Sequence, residues 1–297
     1  MLTALVDVPV ERLLDSIRSA PKGELVSATC YLAVITAGVG EWAWLKFQTI
    51  AGNVRNHLTA AVMGAGGMTV GVVVTAVWLA MWGPLASLSP AVLARTWDAN
   101  PLLGAVAAFI AWDAASWVYH VVGHRTSVGW ASHQVHHSGR DYNLSLAWRQ
   151  SWLPIPALFV FPPLALFGFR LSTLGVCAAI SSLYQALCHY SGKVSVPRPI
   201  AWILVSPESH RRHHVADAEA ANFGAVLTIW DRLTGTWDPM PTTSNEFGIP
   251  GRSGDEGPLS TELAGWLGLW RRRHEQRLNT SKTGETPAVA GVSCGGE

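Results

Sequence analysis

"ASHQVHHSG", residues 131–139, places three histidines within five positions. On a helix, positions i, i+3 and i+4 share one face, so His133, His136 and His137 point to one place. Neutral imidazoles that converge on a point make a metal site. Two further boxes accompany this one. "HVVGH" supplies His120 and His124, an i, i+4 pair where an apolar stretch ends, and "HRRHH" supplies His210, His213 and His214 with the same H-x-x-H-H spacing. Ser206 suits an N-cap and Pro207 a first helical residue, so the third box has its own helix start. The spacing predicts helices beneath all three boxes and, with them, an all-α scaffold.

Eight imidazoles are too many for one metal. Tetrahedral zinc takes four ligands, whereas two six-coordinate ions use eight or nine and keep positions open for oxygen. Imidazole ligands and open positions favour two Fe ions with O2 as co-substrate, zinc being able to substitute. His189 in "ALCHYSG" is the expected ninth ligand, because it ends an apolar segment returning to the same membrane face as the boxes. His57 and His274 lack partners at ligand spacing and read as surface residues. Ligand imidazoles must be neutral, so metal release is expected below about pH 6, near the free histidine pKa.

The surrounding composition is that of a lipid-embedded chain. Of 297 residues, 49% are hydrophobic and 14% charged, with a formal net charge of +1. No basic stripe points to nucleic acid, which is excluded as a partner. Residues 58–94 carry no charged side chain, well beyond the ~20 residues that cross a bilayer. The four cysteines form no C-x-x-C pair, and Cys30, Cys177 and Cys188 sit in apolar stretches where cysteine behaves as a small hydrophobe.

Candidate spans are residues 25–46, 59–83, 101–119, 150–169 and 171–189. The last two flank Arg170, and Pro154, Pro156, Pro162 and Pro163 interrupt the first of them, which predicts a bent hairpin that enters and returns. Residues 120–149 and everything after 190 then share one side with the Arg55 region. That side holds Arg125, Arg140, Arg149, Lys193, Arg198, Arg211, Arg212 and the run Arg271 to Arg273, which makes it cytoplasmic by the positive-inside rule. The expected architecture is an all-α, multi-pass integral-membrane helical bundle of about four spans plus a bent hairpin, with a cytoplasmic helical cap carrying a histidine-rich dimetal site. Its segments are an N-terminal amphipathic stretch (1–24), N-terminal spans (25–100), a catalytic region with the three boxes (101–240), a loop and interfacial helix marked by Leu263, Trp266, Leu267 and Trp270 (241–274), and a disordered tail (275–297).

Metal-bound imidazoles usually donate their second N–H to an acceptor. Asp113, seven residues before His120 inside an apolar span, is the foremost candidate to stand behind a ligand. Asp141 and Asp231 follow. Glu208 fits either that role or the dipole at a helix start.

The order H-x3-H, H-x2-H-H, H-x2-H-H within apolar spans, and the blocks "WDAASWVYHVVGH" (112–124), "HQVHHSGRDYNLSLAWRQS" (133–151) and "NFGAVLTIWDRLTGTW" (222–237), resemble the fatty acid hydroxylase and sterol desaturase superfamily of integral-membrane di-iron enzymes. The resemblance runs from about residue 101 to 240. It implies two non-haem irons under a small helical cap, activating O2 to hydroxylate or desaturate an unactivated C–H position of a membrane lipid (sterol, fatty acyl, carotenoid or ether lipid). Carried over by motif, the ligands and catalytic residues are His120, His124, His133, His136, His137, His210, His213 and His214, with His189 at the usual place of an extra one. Val121 stands where an Arg is frequent, and Thr234 where an aromatic residue is common. Two electrons per turnover must come from an external donor, a ferredoxin or a b-type cytochrome with its reductase, because the chain carries no flavin or nicotinamide fingerprint and no cysteine cluster. Two other readings stay open. A zinc-dependent membrane hydrolase would lack a general base at motif spacing, and a metal transporter or store would hold its site near the bilayer midplane rather than at span ends.

Overall fold

The computed structural model describes residues 54–283 apart from 217–219, 241–243, 245 and 255, with side chains for residues 55–271. The expected N-terminal segment 1–24 and the span at 25–46 lie outside the described residues. The described chain is helical, and its β structure is confined to the isolated bridges Leu204–Leu227 and Val215–Phe247.

Among the described residues, three helices are long and apolar enough to cross a membrane: α1 (Val54–Ser87), α3 (Pro101–Arg125) and α5 (Leu171–Cys188). They contain the expected spans at 59–83, 101–119 and 171–189, the last but for its final residue. Between α1 and α3 lies the short α2 (Ala91–Ala99). Asn100 and Pro101 separate α2 from α3, Pro101 taking the first-turn position where its missing N–H is harmless.

The expected span at 150–169 is built differently. Its four prolines remove donors and break helical bonding, leaving one α turn (Ala157–Val160) and a 3-10 turn (Pro162–Phe167). The segment still runs from one end of the bundle to the other. Trp152 donates its indole N–H to the Met63 carbonyl at 3.0 Å, and the Phe167 carbonyl accepts from the Trp97 indole at 2.8 Å. Midway, Phe161 packs on Trp112 at 4.6 Å between ring centroids and on Trp78 at 5.3 Å. Arg170 then pairs with Asp98 at 2.9 Å, and α5 makes the return. The hairpin therefore has one irregular leg and one helical leg, and neighbouring helices shield its broken backbone from lipid.

The opposite end carries the cap. Thr126 turns the chain sharply after α3 and caps α4 (Ser127–His137) by accepting from Gly129 N at 3.0 Å. The short helices α6 (Arg198–Ile203), α7 (Pro207–His213) and α8 (Ile229–Thr234) follow, and α9 (Pro258–Thr283) closes the cap. Asn56 donates to Asp141 at 3.0 Å, so the start of α1 belongs to this end. Residues 120–149, the region after 190 and the Arg55 region thus lie toward one end of the bundle.

Helix α9 buries Thr261, Glu262, Gly265 and Leu269 while Leu263, Leu267 and Trp270 face outward. Of the expected apolar stripe, Trp266 is half-buried and the other three residues are exposed. The helix continues through 275–283, which corrects the expected start of a disordered tail at 275. Arg, Glu, Gln and Leu in that stretch are good helix formers, so a polar composition did not end the helix.

Close approach of α9 to α4 depends on Gly265. A Cβ there would lie 1.8 Å from Gln134 Nε2 and 2.2 Å from the Ala131 carbonyl, whereas Gly268 has open space around it. Gly265→Ala is expected to destabilise the protein by about 1–3 kcal/mol through overpacking. Gly268→Ala should leave it unchanged or stabilise it by up to about 1 kcal/mol through helix propensity. Thermal unfolding midpoints of the two variants in nanodiscs check this contrast.

Candidate metal centre

Each histidine box sits at a helix end near the membrane boundary. His120 and His124 occupy the last turns of α3, His133, His136 and His137 the last turns of α4, and His189 the C-cap of α5. The third box lies on α7, where Ser206 and Ser209 form a reciprocal capping box, Ser209 N donating to Ser206 Oγ at 3.1 Å and Ser206 N to Ser209 Oγ at 3.0 Å. Pro207 takes the first position, as the sequence predicts.

The nine expected ligands meet in two groups. His120, His124, His133, His137 and His213 form one, and His136, His189, His210 and His214 form the other, with the ligand atoms of each group within 4.8 Å of one another. The groups do not follow the boxes. Adjacent His136 and His137 fall into different groups, as do His213 and His214, because neighbours on a helix point about 100° apart. The two groups abut where the His137 and His214 rings stack at 4.3 Å.

Main-chain carbonyls set the imidazole tautomers. His120 Nδ1 lies 2.9 Å from the Phe223 carbonyl, His213 Nδ1 2.7 Å from the Ala221 carbonyl, and His189 Nδ1 2.8 Å from the Gln185 carbonyl. A carbonyl only accepts, so each Nδ1 carries the proton and each Nε2 a lone pair. Those lone pairs face one another: His189 Nε2 lies 3.1 Å from His136 Nε2 and 3.0 Å from His210 Nε2, which is 3.2 Å from His214 Nε2. In the other group, His213 Nε2 is 3.2 Å from His137 Nε2, and the buried Nε2 atoms of His120 and His133 have no hydrogen-bond partner. Buried lone pairs turned toward one another are satisfied by a cation at their centre, so the residues fit a metal in each group.

No carboxylate joins either group among the described residues, so the general base of a hydrolase is not among the clustered side chains. Both groups also stand at helix ends, away from the midplane position of a transport site.

The acidic residues singled out in the sequence take other places. Asp113, fully buried, accepts from Val226 N (2.9 Å), Leu227 N (3.3 Å) and the Trp230 indole (2.8 Å). Asp231, also fully buried, accepts from Phe223 N (3.0 Å), Gly224 N (2.7 Å), the Trp117 indole (3.1 Å) and Thr236 Oγ1 (2.6 Å). Both carboxylates brace the 222–231 segment, whose Phe223 carbonyl then orients His120. They stand one step further back than expected, because main-chain carbonyls already fill the acceptor positions. Asp141 ties the cap to α1 through Asn56, and Glu208 is exposed in the first turn of α7, where the helix dipole accounts for it.

Four contributors escaped the sequence reading. The Ala221 and Phe223 carbonyls leave no side-chain signature. Tyr142 packs its ring 5.7 Å from His189 and 5.5 Å from His214 while its hydroxyl donates to the Cys188 carbonyl at 2.9 Å. Its place directly after the second box was the only available signal. Gly123, inside "HVVGH", lets α4 close on α3, since a Cβ there would meet His133 Cγ at 3.0 Å.

Residues 105–236 match the family described as Fatty acid hydroxylase. The alkylglycerol monooxygenase of Homo sapiens is 38% identical over 134 residues, 44% of this chain and 30% of the relative. That of Danio rerio is 34% identical over 168 residues, 56% of this chain and 37% of the relative. The ornithine lipid hydroxylase OlsE of Rhizobium tropici is 27% identical over 145 residues, 45% of this chain and 41% of the relative. The aligned part of the chain thus spans about a third of the length of the alkylglycerol monooxygenases it matches. No solved structure matches.

Burial moves the histidines away from free-solution behaviour. Desolvation, followed by repulsion from neighbouring imidazoles, holds His133, His136, His137, His210 and His214 well below the usual histidine pKa, and burial pushes His189 down to about 4. The expected metal release below pH 6 therefore shifts to lower pH, since protons compete weakly for these nitrogens. The folded chain binds fewer protons than the unfolded one between the unfolded value near 6.5 and the lowered folded values. Stability of chelator-treated protein should be complete above pH 6.5 and fall as pH drops toward 4, by up to about 1.4 kcal/mol per pH unit for each such histidine. Unfolding midpoints measured across that range, with and without chelator, check both statements.

Proposed function

We propose that this chain is an O2-dependent, di-iron membrane monooxygenase that hydroxylates an unactivated C–H position of a lipid. The observation that carries the reading is the pair of abutting all-imidazole groups at the ends of membrane-length helices, with Nε2 lone pairs turned inward by main-chain carbonyls. Nine imidazoles in two groups exceed the four ligands of one tetrahedral zinc, which supports two ions with the imidazole ligation that suits iron. The names of the relatives, alkylglycerol monooxygenases and an ornithine lipid hydroxylase, support hydroxylation over desaturation and a lipid with a polar head, an alkylglycerol first.

When bound, two irons would supply the redox chemistry by which one oxygen atom of O2 enters the C–H bond and the other leaves as water, using two external electrons and two protons. The chain's own residues hold and shield that chemistry. His120, His124, His133, His137 and His213 hold one ion, and His136, His189, His210 and His214 the other. Phe223, fully buried against the rings of His120, His124 and His213, keeps water from the five-histidine group. Asp113 and Asp231 act as positioning residues, holding the segment whose carbonyl fixes the His120 tautomer. The lipid enters sideways from the bilayer, with the histidine end on the cytoplasmic side. A ferredoxin or b-type cytochrome with its reductase delivers the electrons at that end, where Arg125, Lys193 and Arg198 are exposed.

Mössbauer spectra of protein grown on iron-57 test the reading. Two coupled irons per chain are expected, with the coupling lost in His136→Ala, together with conversion of an added alkylglycerol into an oxygenated product. Zinc alone, or one isolated iron, would overturn it. Asp231→Asn replaces one acceptor of the Phe223 and Gly224 N–H groups with a donor. It is expected to lower iron from two toward one per chain, with the four-histidine ion retained. Equal loss of both irons would assign Asp231 a general structural role instead.

A further inference from the structure

We infer that α6 and α8 together form a membrane-immersed face of the cap, sunk into the lipid leaflet on the histidine side. The two helices are one unit. Val205 N donates to the Val226 carbonyl and Thr228 N to the Ile203 carbonyl, while Arg232 Nε donates to the Trp202 carbonyl at 3.0 Å. The outward surface of this unit is apolar: Leu233 is 72% exposed, Trp202 59%, Ile203 54% and Ile200 47%. Four large apolar side chains at such exposure, on two adjoining short helices, need a nonaqueous partner.

Depth in the bilayer identifies that partner as lipid. About 20 helical residues cover the ~30 Å hydrocarbon core, so a core entered at Pro101 ends near His120. Asp113 and Trp117 then lie about 10 and 5 Å inside that boundary at ~1.5 Å per residue. Helix α8 is fastened to α3 at these two positions, by Trp230 donating to Asp113 at 2.8 Å and Trp117 donating to Asp231 at 3.1 Å. Interfacial helices bury their apolar faces by about 5–10 Å, the depth these tethers impose. The face is also continuous with a membrane-crossing surface, since α3 exposes Val106, Ile110 and Val118 to its surroundings.

The charged residues of the unit suit the same setting. The half-buried Arg232 guanidinium lies over the Trp237 ring at 4.4 Å and the Trp202 ring at 5.0 Å, so aromatic faces cover its charge at the edge of the face. Arg198 is exposed at the start of α6. Long cationic side chains on apolar surface reach up to lipid phosphates in this way. The segment that joins this unit to the five-histidine group contains Phe223, which packs on three of the group's rings. The inference rests on exposure and tethering, and holds whether or not iron is the bound metal.

The test uses the full chain in nanodiscs of phosphatidylcholine with a minority of phosphatidylglycerol, with Cys30 and Cys294 replaced by Ser. Ile203→Cys and Leu233→Cys are labelled with bimane, beside Ile110→Cys as a lipid-facing control and Glu208→Cys as a water-facing one. Quenching by acyl-chain spin-labelled lipid is expected to exceed quenching by aqueous iodide several-fold at 203 and 233, as at 110. Iodide quenching like that at 208 would overturn the inference by placing the face in water. Protection from both quenchers, relieved on dilution of the protein, would overturn it in favour of a second copy of the chain. Because no metal or turnover is read, failure here is distinguishable from failure of the oxygenase reading.

Discussion

Imidazole lone pairs that face one another inside a buried cap constrain everything else in this molecule. Without a cation the contacts near 3 Å between Nε2 atoms bring like dipoles together. Three of the rings, those of His120, His189 and His213, are held from behind by a main-chain carbonyl that accepts from Nδ1. Orientation by backbone rather than by carboxylate keeps added negative charge out of the histidine clusters. It also ties ligand geometry to the fold, since a carbonyl is only as well placed as the segment that carries it.

That dependence explains the buried acids. Asp113 on α3 binds Trp230, while Asp231 beside Trp230 binds Trp117, one turn beyond Asp113. The arrangement is reciprocal, and each carboxylate also satisfies two main-chain N–H groups of the 222–231 segment. Leaving such donors unpaired in a buried setting costs about 1–3 kcal/mol apiece, so the two acids are structural necessities before they are anything else. Their effect on the metal centre follows from where the braced segment points: inward through the Phe223 carbonyl to His120, and outward through α8 to lipid.

The membrane crossing shows the same division between pattern and context. Residues 150–169 are apolar enough to read as a span, yet their prolines leave a broken course that lipid alone would not tolerate. It is stable because Trp78, Trp112, Tyr119 and Phe161 pack around its middle and Trp97 and Trp152 fasten its ends. Trp78, Trp97, Trp112 and Trp152 are thus packing and hydrogen-bonding residues of the bundle. Helix α9 carries the complementary lesson: its apolar stripe was legible, whereas its length past residue 274 was not, because helix propensity in a charged stretch leaves no hydrophobic period to follow.

The sequence by itself determined the helical scaffold, the membrane-length segments, the helix start at Ser206 and the nine histidines that gather in the cap. These features are local: histidine spacing of three and four, long runs without charge, and a serine before a proline each have one dominant physical reading. Only the tertiary structure decided which histidines fall into one group. His136 and His137 are adjacent in the chain and separate in space, while His124 and His213 lie far apart in the chain and meet in one group. It alone also decided that carbonyls rather than carboxylates stand behind the rings. Main-chain atoms are the same at every residue, so their role appears only once the 221–231 segment has been folded against α3.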